Sequence, residues 1–335
     1  MNAAYHISYT SRKEIDPEKW ELCITQSPNA MIYGSLSFLD HMAPHWDALI
    51  LGDYKAIMPL TWNKKWGIRY LYQPPLSPQL GIFSPQPITE EIIKAFLQKA
   101  TDHFRFAEIY LNFTNVYPGL VPFTNIVLDV NAPYEKIRAG YKKDLEKNLR
   151  KAARFPLLYT PSTDVDGAID LYRKYNADKT PHVGVSGYRS FAGFCHSARK
   201  TDSVIIRTAY AWEDEPLTNE SVPGHSKPIP ADQADQPLLA LALLLKQKSR
   251  LYLLMSVCTP AGRKVEANHF LLDNLIREFA GTDTILDFDG SEIPGIAHFY
   301  KNFGGIDQPF FFYRHNRLPW PIRLFKPAGT QLGSR

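Results

Sequence analysis

Two hydrophobic periods alternate along this chain, and the switches between them mark its elements. Asp16-Pro17-Glu18 combines a capping carboxylate, a proline at the first position and an acid in the first turn, which starts a helix running to about Ser27-Pro28. A second short helix is predicted over 36–42. The segments "WDALILGD", "YKAIMPLTWNK" and "IRYLYQ" then read as three successive strands joined by tight turns. "TEEIIKAFLQKATDHF" is an amphipathic helix opened by Thr89, and "FAEIYLNFT" and "TNIVLDV" close this half as strands.

The second half repeats that order. A basic helix over 134–154 and a helix over 165–176 come first. The strands "SVIIRTAYAW", "PLLALALLLKQ" and "SRLYLLMSV" follow, then a long helix in "RKVEANHFLLDNLIREFA". A strand "TILDFD", a Pro-started helix in "LDFDGSEIPGIAHFYKNFGG" and a strand "PFFFYRH" end it. Two halves with one element order predict an α+β duplication, each half a mixed, largely antiparallel sheet flanked by helices. The expected domains are 1–133 and 134–335. Residues 213–237 hold five prolines and six acids with little apolar material, which predicts a flexible insertion between neighbouring strands.

Composition narrows the class. Of 335 residues, 44% are hydrophobic and 21% charged, the balance of a packed globular protein. The net charge of +4 is too mild to imply nucleic acid by itself, so the distribution of charge has to carry that argument. Three widely spaced cysteines, Cys23, Cys195 and Cys258, make neither a disulfide framework nor a zinc cluster, and no metal site is expected. No leader-like apolar segment and no membrane-length run is visible, which predicts a cytoplasmic protein.

Candidate chemistry gathers in three places. Lys301 lies between an aromatic residue and a glycine turn, close in sequence to Asp287, Asp289 and Glu292. It is either a cation complementing a helix C-terminus or one aimed at a reacting centre. If Asp287 and Asp289 alternate on one strand, both point to one face, and the like charges raise one pKa toward that of a general base. The alternative is ordinary turn chemistry at Asp289-Gly290-Ser291. Residues 136–154 carry eight cations against two acids, and Lys143, Lys147, Arg150 and Arg154 share one helical face suited to phosphates.

The element order is that of the N-acetyltransferase (GNAT) fold used twice, and the chain resembles the FemABX-like, tandem-GNAT branch of that superfamily. "GYKKDLEKNLRKAAR" resembles the basic opening helix of the second domain, and "AGRKVEANHFLLDNLI" the long helix after the central strands. "LDFDGSEIPGIAHFYKNFGG" is similar to the closing strand–turn–helix, with its aromatic-Lys pair before a glycine turn. "YQPPLSPQLGIF" looks like a substrate-facing loop of the first domain. The resemblance implies an acyl or aminoacyl transferase that forms an amide on an amine acceptor, such as a cell-wall precursor, with aminoacyl-tRNA as donor. It implies Lys301, Asp287 and Tyr300 as catalytic residues, and Tyr72, Gln79, Arg150 and Glu292 as substrate contacts. Lys143, Lys147 and Arg154 would then hold the anionic donor. An acetyl-CoA or other acyl-CoA donor is the alternative, although "TPAGRKVEANHF" offers Gly262 alone where a glycine-rich pyrophosphate loop would stand. A non-catalytic binding protein on the same scaffold is the reading from a different class.

Overall fold

The computed structural model describes residues 5–212, 237–289 and 292–323. Two units emerge, each built on its own seven-stranded sheet. The first opens with β1 (Ile7–Ser11), α1 (Pro17–Gln26) and α2 (Leu36–Met42). There follow β2 (Trp46–Leu51), β3 (Ala56–Lys65), β4 (Ile68–Tyr72), α3 (Glu90–His103), β5 (Phe106–Leu111) and β6 (Val121–Phe123). The helix starts are side-chain caps. Asp16 accepts the Glu18 and Lys19 N–H groups, Ser35 accepts Phe38 N–H, and Thr89 accepts Ile92 N–H. β1 to β4 pair successively antiparallel, and α3 then carries the chain over so that β5 joins β4 in parallel. The inner face of α3 (Ile93, Phe96, Leu97 and Ala100) packs into one core with Leu49, Met58, Leu71 and Leu111. Burying each large side chain there stabilises the unit by about 1.5–3 kcal/mol.

The second unit is assembled from β7 (Ile126–Asp129), α4 (Tyr134–Arg138), α5 (Lys143–Ala152), β8 (Leu157–Ser162) and α6 (Val165–Asn176). After α7 (Val185–Ala198), whose residues up to Phe194 belong to the first unit, come β9 (Val204–Ala211), β10 (Leu238–Gln247), β11 (Arg250–Cys258), α8 (Pro260–Lys264) and α9 (Ala267–Phe279). β12 (Ile285–Asp287), α10 (Pro294–Lys301) and β13 (Ile306–Asp307) complete it. β8 to β11 form an antiparallel meander, and β12 joins β11 in parallel after α9. This is the first unit's plan again. β10 lies in the middle of the sheet, which is why "LLALALLL" is apolar on both faces. In β11, Leu254 has no partner opposite it: Leu243 pairs with Met255 and Leu244 with Leu253. Such a bulge bends the strand and re-aims the residues beyond it.

The final strand breaks the simple division. β14 (Phe310–Asn316) pairs with β5 and β6 of the first unit, whereas β7 pairs with β12 and β13 of the second. Among the described residues the units are therefore 5–125 with 182–194 and 308–323, and 126–181 with 195–212, 237–289 and 292–307, so the division does not fall at 133/134. The reason is burial: Ile126 and Leu128 enter the second core, while Phe311 and Tyr313 pack on the first. A short α11 (Trp320–Arg323) follows β14.

Other expectations also shift. The basic helix over 134–154 is two helices, because the chain turns between Arg138 and Lys143 and Arg138 folds back onto Glu146 at 3.0 and 3.1 Å. β1, β6, β8, α7, α8, β13 and α11 are additional to the elements expected. The insertion expected over 213–237 lies outside the described residues but for Pro237, and so do Gly290 and Ser291 of the expected acidic turn. No helix among the described residues is long and apolar enough to cross a membrane.

Candidate functional site

In the second unit, the bulged β11 delivers its last residues to the start of α9. Ser256 and Cys258 alternate on one half-buried face of the strand. Thr259 then ends the strand: its N–H and Oγ1 both bond the Leu239 carbonyl, and Oγ1 accepts Gly262 N–H to start α8. Gly262 has to be glycine, since a Cβ there would lie 2.2 Å from the Leu239 oxygen. After α8 the chain turns through Glu266, held left-handed at φ 58°, and α9 begins.

A cavity of about 240 Å³ opens at that helix start, lined by Cys258, Arg263, Glu266, Asn268, His269 and Phe299. This is smaller than the roughly 300–1,000 Å³ of most small-molecule sites. One chain of polar contacts builds its wall. Lys151 Nζ donates to Glu266 Oε1 at 2.7 Å, and His269 Nδ1 lies 3.1 Å from Glu266 Oε2. A carboxylate only accepts, so Nδ1 carries the imidazole proton, and Asn148 Nδ2 donates to Nε2 at 3.2 Å. Phe299 and Phe303 flank the ring at centroid distances of 5.0 and 6.5 Å. Burial lowers the His269 pKa below its ordinary value, and Glu266 opposes that, so the imidazole is neutral at neutral pH. Burial likewise raises the Cys258 thiol, against the Asn268 N–H it accepts and the nearby Arg263 cation.

Lys151 and Asn148 reach this wall from α5, whose exposed surface carries more cations than acids, with Asp144 exposed and Glu146 half-buried. Lys143, Lys147, Arg150 and Lys151, together with Arg154 beyond the helix end, are all exposed. Leu145, Leu149 and Ala152 occupy the opposite, buried face. Of these cations it is Lys151, outside the stripe of Lys143, Lys147, Arg150 and Arg154 expected from the sequence, that contacts the cavity wall. Arg138 is withdrawn from it by its pair with Glu146.

The catalytic candidates lie elsewhere. Lys301 ends α10 and donates to Asp307 Oδ2 at 2.7 Å, with the two side chains 43% and 59% exposed. It is not in the cavity wall. Tyr300 is buried with its ring stacked on Phe288 at 4.1 Å, and burial pushes its hydroxyl pKa up. Asp287 is fully buried and paired with Arg250 at 2.7 Å. The expected shared strand face of Asp287 and Asp289 does not form: β12 ends at Asp287, and Asp289 turns left-handed at φ 55° and donates its N–H to Asp287 Oδ1. Glu292 is exposed. In the first unit, Tyr72 is half-buried at the end of β4, and burial followed by the neighbouring Tyr70 pushes its phenol up to about 12. Gln79 is 1% exposed, and its Oε1 has no hydrogen-bond partner among the described residues.

Cys258, His269 and Arg263 were not singled out by sequence. The available signal was Glu266 and His269 at i, i+3 where a helix starts. Among the described residues no cluster of His, Cys, Asp or Glu is placed to hold a metal ion.

No family model matches the sequence, and no curated protein matches it either. Solved structures do match the fold. FemX is similar with a TM-score of 0.62 at 12% identity, over 93% of this chain and 98% of that one. A conserved protein of unknown function from Bacteroides thetaiotaomicron VPI-5482 gives 0.55 at 8% identity, over 92% and 99%. A tandem GNAT protein from the clavulanic acid biosynthesis pathway gives 0.50 at 12% identity, over 94% and 99%. With a bulged strand leading to a helix-start cavity, two sheets of one plan and these full-length likenesses, the chain has the tandem GNAT fold that it shares with FemX.

Proposed function

We propose that the protein is an acyltransferase that forms an amide on an amine acceptor, and that the cavity at the start of α9 receives the acyl or aminoacyl arm of its donor. The observation that carries this is the join between cavity and cations: Lys151 and Asn148 of α5 contact Glu266 and His269 of the cavity wall. A donor with phosphates lies along the α5 stripe while its reactive arm enters beside His269. The neutral imidazole, with Nδ1–H held by Glu266, presents Nε2 as acceptor for the proton that the attacking amine must lose. That step requires Asn148 to release Nε2. Arg263 supplies positive charge on the same wall for the oxyanion that develops at the attacked carbonyl.

Between donors, two features favour aminoacyl-tRNA over acyl-CoA. Gly262 N–H is already taken by Thr259, and the Glu266 carboxylate stands at the helix start where a pyrophosphate would need open amides. The residues present therefore do not make a glycine-rich pyrophosphate cradle.

Titration with charged tRNA, acetyl-CoA and a UDP-linked muropeptide tests the proposal. The expected result is saturable binding of charged tRNA and amide formation on the muropeptide, with donor affinity falling in Lys147→Glu and Arg150→Glu. Binding of acetyl-CoA alone reverses the choice of donor. Silence with all three leaves a non-catalytic scaffold.

A further inference from the structure

β3 and β4 are joined by two residues, Trp66 and Gly67, with Lys65 opposite Ile68 in the ladder. Their φ angles are 51° and 79°, so both central positions of the turn are left-handed. Asn-Gly or Gly-Gly is expected at such a turn. A bulky aromatic there is disfavoured, because its Cβ crowds the following carbonyl. Burial does not compensate: Trp66 is 67% exposed, and every residue from 63 to 67 is exposed. The strain is carried by an indole that packs into no core.

Its surroundings are cationic. Lys64 is exposed, and Lys65 Nζ lies 4.9 Å from the indole centroid. No acid occurs between Trp62 and Tyr72, and Arg69 is turned away onto Asp47 at 2.9 Å. We infer that this hairpin tip is a docking element for an anionic lipid surface, with Trp66 seated at headgroup level and Lys64 and Lys65 held by the negative leaflet. Tryptophan settles at the membrane–water interface because its ring is apolar and its N–H polar, and basic residues beside it add electrostatic attraction. A single indole on a turn fits a lipid interface better than a nucleic acid, for which several rings on a sheet face make a stacking platform. The inference stands independently of the proposed transferase activity.

Co-sedimentation of the full chain with vesicles tests it, using phosphatidylcholine alone and phosphatidylcholine mixed with phosphatidylglycerol. The parent protein is expected on the anionic vesicles and not on the neutral ones. Trp66→Asn should lose that binding while melting no lower than the parent, since Asn-Gly suits the turn. The double variant Lys64→Ala/Lys65→Ala should bind about 25-fold more weakly, each lysine near an anionic surface being worth a factor of about five. Parent-like vesicle binding by Trp66→Asn, or no preference for anionic vesicles, overturns the inference. Absent vesicle binding, with oligouridylate binding that Trp66→Asn abolishes, overturns it in favour of RNA.

Discussion

His269 donates its Nδ1 proton to Glu266 across one turn of α9 at 3.1 Å, and the same carboxylate accepts Lys151 at 2.7 Å. That shared carboxylate ties the imidazole in the cavity wall to the cationic helix beside it. It also fixes which ring nitrogen is protonated, and therefore which one can accept a proton.

Replacing the carboxylate should move the titration of the imidazole. Burial lowers the His269 pKa and Glu266 raises it, so Glu266→Gln should lower it further. An NMR titration of the His269 ring reads this directly, and an upward shift refutes the assignment. The linkage to stability has a definite sign. The unfolded chain takes up this proton first as pH falls, near its ordinary value of about 6.5. The contribution of His269 to stability is thus complete above that value and is lost as the pH drops toward the folded pKa. His269→Gln should flatten the acid limb of the rate–pH profile.

Asp287 is expected to act on the fold rather than on the reaction. Its carboxylate and Arg250 are buried together at 2.7 Å, so Asp287→Asn removes the negative charge that faces the buried guanidinium there. A loss of about 3 kcal/mol in denaturant unfolding is the expected result. A variant of parental stability but no turnover would return Asp287 to the chemistry.

Lys301→Met separates the two roles considered for that lysine. The pair with Asp307 is exposed on both sides, and such pairs contribute about 0.2–1 kcal/mol. Turnover and melting temperature should both stay close to those of the parent. Abolished amide formation at unchanged stability would show that the ammonium acts on the reacting groups.

Gly262→Ala tests how the cavity is built. The new Cβ would meet the Leu239 carbonyl at 2.2 Å, which forces α8 to move. Destabilisation of about 1–3 kcal/mol is expected, together with weaker donor binding. Donor affinity that survives such a loss of stability would place the donor away from α8 and the start of α9.

Local signals written in neighbouring residues determined much of this protein. Thr89 with its acids marked α3, the wholly apolar "LLALALLL" marked a strand, and the repeated element order marked a duplicated α+β fold. The cationic face of α5 was legible because helical spacing alone places Lys143, Lys147 and Arg150 together. α7 was not expected, because Gly187 and Gly193 weaken a helical signal that Tyr188, Phe191 and Phe194 nonetheless carry. Tertiary structure alone decided that β7 and β14 exchange sheets, since strand partners are chosen by which core buries their apolar faces, and chain order does not encode that choice. It likewise decided that Asp287 and Tyr300 go inward while Glu266, His269 and Cys258 meet at one cavity. Residue spacing sets which side of an element a group occupies; what stands opposite depends on packing between elements distant in sequence.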